Sequence, residues 1–212
     1  ITVEPFDIHA SSRYLDQHLP GLNAKPELKD FIINFTGGYP LYLELIADAL
    51  AKADATVNLA DILEDLLFNT SGILNQRFSN YIKRFLDADA SNDYVSIFYL
   101  IASGRNRIKD IAHILHKQKK ELDIRINYLL ELDAITRSGD FLKVSDRLFA
   151  YWMRFVYQEK IRSLSFDAKN QKEKFRENIQ ELIQEFAKQS IKPLANRVGE
   201  LLQLFDSIEA RL

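Results

Sequence analysis

Residues 134–144 read AITRSGDFLKV, in which two short β-prone runs flank the turn sequence Ser138-Gly139-Asp140. A tight turn between two such runs predicts a β-hairpin. The segments upstream space their apolar residues as helices do and stop at glycine or polar turns. The predicted helices are Tyr94–Ser103, Ile108–His116 and Leu122–Leu132, with a polar turn at 117–120. Three helices followed by a hairpin is the order of elements in a winged helix-turn-helix.

The residues before this unit predict a small helical bundle. The expected helices are His9–His18, Lys25–Thr36, Pro40–Ala53, Leu59–Phe68 and Ile73–Leu86. The polar stretch DADASND at 87–93 marks a boundary between the bundle and the winged helix. After the hairpin, Asp146 is placed to cap a helix over Arg147–Ile161. This helix is rich in aromatic residues, which we expect to form core.

The C-terminal segment, 162–212, has the pattern of two long amphipathic helices. One carries Phe175, Ile179, Leu182 and Phe186 at heptad-like spacing, and the other carries a similar series from Leu194 to Leu212. An antiparallel helical hairpin is the simplest outcome, and a dimer through these seams is the alternative. The predicted fold is therefore mainly α, divided into a helical bundle (1–88), a winged helix-turn-helix with a small β-hairpin (89–161) and a C-terminal helical hairpin (162–212).

Composition excludes several classes of protein. The 212 residues carry a net charge of −2 and include no cysteine, which rules out disulfides, thiol catalysis and cysteine-based metal sites. The absence of cysteine suits a reducing compartment, so we expect a cytoplasmic location. The longest apolar runs are six residues, whereas a membrane span needs about 20, so we expect no membrane partner. The beginning, ITVEPFD, has neither an initiator methionine nor signal-peptide features, so we expect a piece of a longer protein.

Phosphate-binding signatures are limited to one turn. The chain has neither a G-x-x-x-x-G-K-[ST] loop nor a G-x-G-x-x-G loop, so by itself it is not an NTPase of the P-loop type. Residues 36–43 read TGGYPLYL, in which two glycines permit a close turn and Pro40 begins a helix. The exposed amides of such a helix terminus can face a phosphate or a ligand ring. The alternative interpretation is that the glycines end one helix and Pro40 begins the next, with no ligand involved.

Three segments in this order resemble the C-terminal half of archaeal-type ATPases of the STAND branch of AAA+ proteins. They are FTGGYPLYL at 35–43, IASGRNRIKDIA at 101–112 and DRLFAYWMRFVY at 146–157. The resemblance covers roughly residues 1–157. It implies that the first bundle is a helical lid, that a winged helix follows it, and that an ATPase core with a P-loop lies upstream.

The same resemblance assigns a nucleotide-binding role to Gly37, Gly38 and Pro40, since the GxP turn of the family lies against the bound nucleotide. The implied ligand is ATP, with Mg²⁺ in the full-length protein, and we expect no tight nucleotide binding by this chain alone. Many AAA+ lids have a sensor arginine at the start of the next helix. Here those positions are Leu41 and Tyr42, so that role is unfilled.

The winged helix is locally basic. Residues 105–125 contain seven basic and three acidic side chains. The candidate DNA-binding residues are Lys117, Lys119 and Lys120 at the turn and helix start, Arg125 within that helix, and Arg137 and Lys143 in the wing. Contacts of this kind are mostly to phosphates and are salt-sensitive. A solvated turn on a spacer or protein-contact module is the alternative.

We predict no catalytic residues and no metal site, because His113 and His116 have no adjacent third ligand. The sequence favours the C-terminal regulatory portion of a STAND/AAA+ ATPase, in which the winged helix relays nucleotide state to DNA or a protein partner. The alternative is a winged-helix transcription regulator whose bundle dimerises or binds an effector. A third hypothesis is a scaffold whose C-terminal helices recruit a protein partner or self-associate.

Overall fold

The structure is a computed structural model that describes residues 4–21, 26–54, 57–88, 92–157, 168–193 and 195–200. These residues form helices and one two-stranded antiparallel hairpin, which confirms the mainly α prediction. No helix in this part of the chain has the length and apolar content needed to cross a bilayer.

Five helices form the first bundle, and each ends within two residues of its predicted limits. They are α1 (Ile8–His18), α2 (Pro26–Thr36), α3 (Pro40–Lys52), α4 (Leu59–Leu67) and α5 (Ile73–Ala88). Local capping explains the agreement: the Asp7 side chain accepts from the Ala10 amide, and Asn58 forms a reciprocal capping box with Asp61.

The winged helix has the predicted order. It consists of α6 (Asp93–Ala102), α7 (Ile108–Ile114), α8 (Lys119–Glu131), β1 (Ile135–Ser138) and β2 (Phe141–Val144). The strands pair with Ile135 opposite Val144 and Ser138 opposite Phe141. The polar turn predicted over 117–120 is shorter than expected, because Lys119 already begins α8. The preceding chain reversal is made by His116 in a left-handed conformation (φ 53°).

The aromatic helix after the wing departs from regular geometry. It runs as α9 (Arg147–Trp152) and then continues as a π-helical turn, Met153–Tyr157, whereas one regular helix to Ile161 was predicted. Residues 158–161 lie outside the described part of the chain. The expectation that these aromatics form core is confirmed, since Phe149 and Trp152 are buried. The Trp152 indole donates a hydrogen bond of 2.9 Å to Asn75, which joins α9 to α5.

The last long helix, α10 (Ala168–Ile191), packs against α2 and α4 of the first bundle. Its Phe175 and Ile179 are fully buried, and the Phe186 ring meets the edge of Phe31. In the second predicted seam, residue 194 and residues 201–212 lie outside the described residues, and 195–200 are helical. The division into three units, and the hairpin formed by the last of them, stay predictions.

Candidate functional site

The turn between α2 and α3, Gly37–Pro40, is here called the glycine turn. Gly37 and Gly38 both have left-handed backbones, with φ of 63° and 77°, and Pro40 is the first residue of α3. The Phe6 amide donates to the Gly38 carbonyl at 2.9 Å. A Cβ at position 38 would overlap the Phe6 carbonyl oxygen. Glycine is therefore required at position 38 for the entry segment to pass against the turn.

A cleft of about 590 Å³ opens beside this turn, between the first bundle and the winged helix. We call it the Arg77 cleft. Its walls include Tyr39 and Tyr42 from the glycine turn and α3, Arg77 and Arg84 from α5, and Ser145 and Asp146 from the segment that follows the wing. Helices α3 and α5 and the segment after the hairpin thus contribute side chains to one cavity. The cavity combines aromatic surface with two guanidinium groups.

None of the three predicted nucleotide-binding residues lines the Arg77 cleft. Gly37 and Gly38 line a second cleft of about 520 Å³, together with Phe6 and Arg147. Pro40 is half-buried at the start of α3. The member of the turn that lines the Arg77 cleft is Tyr39.

A partly buried acid, Asp146, lies in the Arg77 cleft. The Tyr42 hydroxyl donates a hydrogen bond to the Asp146 carboxylate, which also accepts from the Phe149 amide at 2.9 Å as the N-cap of α9. Burial raises the pKa of Asp146, and the charge of Arg77 acts against that shift. Burial and the neighbouring Asp146 also raise the pKa of Tyr42. Tyr42 therefore stays protonated and donates to Asp146 at neutral pH.

A second contact joins the same two parts of the molecule. Arg147 donates through one guanidinium nitrogen to the backbone carbonyl and the side-chain oxygen of Asn34, each at 3.1 Å. Asn34 lies in the last turn of α2, three residues before the glycine turn. The start of α9 is thus held to α2 by Arg147 and to α3 through the bond between Asp146 and Tyr42.

Two of the six predicted DNA-binding residues form ion pairs with acidic side chains of the same chain. Lys117 lies 3.1 Å from Asp93 and 3.0 Å from Glu121, and Arg125 lies 2.8 Å from Asp93 and 3.4 Å from Glu121. Asp93 is buried, so these cations compensate its charge. Hydrogen bonds to Glu121 and Asp93 raise the pKa of Lys117. This ion-pair cluster ties the start of α6 to α8.

The other four residues are exposed but do not share one face. Lys119 and Lys120 are in the first turn of α8. In the wing, Arg137 pairs with Leu142 and Thr136 pairs with Lys143. Successive strand residues point to opposite faces, so Arg137 and Lys143 point to opposite faces of the hairpin. Arg137 also donates to the Gly139 carbonyl at 2.8 Å.

Sequence reasoning missed the cleft because its walls come from distant segments. Arg77 and Arg84 are seven residues apart on α5, a spacing that places them on one helix face and was the available signal. Asp146 was recognised as a helix cap, but nothing local indicates its contact with Tyr42. The described residues contain no group of three or more His, Asp or Glu side chains that could hold a metal ion.

Comparisons with known proteins bear on the fold. No family model matches the chain. No curated protein matches it either. Among solved structures, it is similar to the Walker-type ATPase PABY2304 of Pyrococcus abyssi, with a TM-score of 0.59 and 18% sequence identity. The similarity covers 70% of this chain and 42% of that one, so the chain spans less than half of the ATPase. At this identity, the likeness establishes a shared fold.

Proposed function

We propose that this chain is the nucleotide-responsive C-terminal portion of a Walker-type ATPase of the STAND branch of AAA+ proteins. The first bundle acts as a lid over nucleotide held by an upstream core, and the winged helix moves with the lid. The observation that carries the proposal is the Arg77 cleft, because lid and winged helix line it together. The fold shared with part of a Walker-type ATPase supports it.

The cleft has side chains suited to part of a nucleotide. The Tyr39 ring offers an aromatic surface for a base, and Arg77 and Arg84 offer guanidinium groups for phosphate oxygens. Their Cα atoms are separated by about 10 Å along α5, which is two helical turns. ATP and Mg²⁺ would be held chiefly by the core, which supplies the phosphate loop and the metal ligands. The chain alone is expected to bind ATP very weakly.

Transmission to the winged helix would use the two contacts beside the cleft. Nucleotide that favours one position of Tyr39 and Arg77 also biases Tyr42 and Asp146, since these side chains contact or neighbour one another. A ligand shifts such an equilibrium only by its difference in affinity for the two arrangements. The output is a change in what the winged helix presents to DNA or to a protein partner.

The test begins with the gene. Coding sequence upstream of Ile1 should specify a Walker A motif within a few hundred residues. In that longer protein, Arg77→Glu combined with Arg84→Glu should weaken ATP or ADP binding at least tenfold in a calorimetric titration. Lys188→Glu, an exposed charge change on α10, is the matched control and should leave the affinity unchanged. Absence of the motif, or equal effects of the two sets of changes, contradicts the proposal.

A winged-helix DNA-binding regulator is the second candidate. The exposed cations Lys119, Lys120, Arg137 and Lys143 favour it, since none of them forms an ion pair with another described residue. Fluorescence anisotropy with a labelled random duplex tests it at low and near-physiological salt. Binding that falls steeply with salt and is lost in Lys119→Glu/Lys120→Glu supports this candidate. No binding at low salt contradicts it.

A further inference from the structure

The outward face of α8 has an ordered sequence of side chains. Lys120, Ile124, Asn127 and Glu131 follow one another at spacings of four, three and four, which places them on one stripe of the helix. All four are exposed, and Ile124 is 63% exposed. The opposite side of α8 is buried through Leu122, Ile126 and Leu129. The stripe therefore faces away from the protein core.

Large apolar side chains are concentrated along this face. Tyr128 is 39% exposed and Leu132, at the C-cap, is 48% exposed, so three exposed apolar residues follow one edge of a single helix. The Tyr128 ring rests against Tyr94, with ring centres 5.3 Å apart. Single exposed apolar side chains are common, whereas exposed apolar side chains that lie next to one another mark contact surfaces.

The charges of the stripe lie at its two ends and form no ion pair within the part of the chain that the structure describes. Lys120 is at the N-terminal end and Glu131 is at the C-terminal end, and neither forms an ion pair with a described residue. On the adjacent side of α8, Glu121 is paired with Lys117 and Arg125. Lys120 and Glu131 are equidistant from a point midway between Ile124 and Asn127. The stripe is therefore complementary to itself when its direction is reversed.

We propose that α8 pairs antiparallel with α8 of a second copy of this chain, about a two-fold axis through that midpoint. Lys120 then lies opposite Glu131 of the partner subunit, and the two-fold axis creates this ion pair twice. Ile124 packs against Tyr128 of the partner subunit at the centre. This interface involves no nucleotide, so a result for or against the dimer does not test the proposed ATPase role.

The proposed interface is small, so the affinity of the two copies for each other should be low. A 13-residue helix is about 20 Å long, and two such helices side by side bury less than the roughly 1,200 Å² at which stable complexes begin. A weak, concentration-dependent dimer is therefore expected. The same face of α8 would enter a DNA major groove, so self-association and base reading exclude each other.

Sedimentation velocity of the 212-residue chain from about 5 to 500 μM tests the proposal. The wild-type chain should shift from monomer to dimer over this range. Lys120→Glu and Glu131→Lys should each weaken association roughly tenfold, because each change makes both ion pairs repulsive. Ile124→Glu should abolish the dimer. Lys188→Glu on α10 is the matched control and should behave as wild type, and circular dichroism verifies that every variant remains folded.

The decisive experiment exchanges the charges at positions 120 and 131. An equimolar mixture of Lys120→Glu and Glu131→Lys chains makes both ion pairs attractive again, so the mixture should dimerise as strongly as wild type. The double variant Lys120→Glu/Glu131→Lys should also regain association. A wild-type chain that is monomeric at 500 μM overturns the proposal. A dimer whose dissociation constant is the same in all these variants also overturns the proposal. So does a Lys120→Glu variant that dimerises like wild type and has lost its affinity for duplex DNA.

Discussion

The Tyr42 hydroxyl donates a hydrogen bond to the Asp146 carboxylate, joining residues 104 positions apart in the chain. Tyr42 lies in the first turn of α3, directly after the glycine turn. Asp146 caps α9, directly after the wing. One hydrogen bond therefore connects the two elements that the sequence singled out separately.

Removing the Tyr42 hydroxyl should destabilise the fold. Tyr42→Phe leaves the partly buried Asp146 carboxylate without one of its donors, at a cost of about 1–3 kcal/mol in the free energy of unfolding. Urea unfolding measures it directly, and the melting temperature should fall by a few degrees. Tyr39→Phe is the control, since the half-buried Tyr39 hydroxyl has no hydrogen bond to a described residue. Equal effects of the two changes would contradict a specific role for this bond.

Asp146 should give stability a particular pH dependence. An aspartate in an unfolded chain has a pKa of about 3.9, and burial raises the pKa of Asp146 in the folded protein. The folded state therefore retains this proton to higher pH than the unfolded state. The stability contributed by Asp146 is complete below the unfolded pKa and is lost as pH rises through the folded pKa.

The measurable quantity is the free energy of unfolding of wild type minus that of Asp146→Asn. This difference should increase in favour of wild type as pH falls from neutral toward 4. Asparagine keeps the helix cap and an acceptor for Tyr42, so the comparison isolates the titration. Urea unfolding at several pH values provides the data. A difference that is constant, or that decreases on acidification, would show that the pKa of Asp146 is not raised.

Helix limits were predictable because the residues that end helices act locally. Asn58 caps α4 through its own side chain, and Pro40 begins α3 because its missing amide hydrogen costs nothing in a first turn. Gly37 and Gly38 end α2 with left-handed backbones that other residues rarely adopt. The mainly α fold and the hairpin follow from such signals without knowledge of any tertiary contact.

Contacts between distant segments were not predictable in this way. In sequence, Lys117 and Lys120 are equivalent surface lysines, yet Lys117 pairs with the buried Asp93 and Lys120 is exposed. The difference depends on how α6 packs beside α8. The burial of Glu64 likewise depends on α10 docking from more than 100 residues away. Residue type alone does not determine whether a charge is paired.

The two glycines of the glycine turn should differ in their tolerance of alanine. Both require a left-handed backbone, which costs a non-glycine residue about 1–2 kcal/mol. A Cβ at Gly37 would find its nearest atom 3.8 Å away, whereas one at Gly38 would overlap the Phe6 carbonyl. Gly38→Ala should therefore lower the free energy of unfolding by clearly more than Gly37→Ala. Gly139→Ala, with φ of 59° and open space, calibrates the backbone cost alone. Equal losses at positions 37 and 38 would contradict the close approach of Phe6.

The docking of α10 should depend on one buried carboxylate. Glu64 of α4 is 1% exposed and lies 2.6 Å from the Lys172 ammonium and 2.9 Å from the Arg176 guanidinium. Glu64→Gln removes the charge that these cations compensate, and the half-exposed cations can partly return to water. A loss of roughly 2 kcal/mol is therefore expected, less than for a fully buried pair. Trypsin should then cleave within α10 faster than in wild type. Glu173→Gln, on the exposed face of α10, is the control and should change neither stability nor cleavage rate. Unchanged cleavage in Glu64→Gln would mean that apolar packing around Phe175 holds α10 without this ion pair.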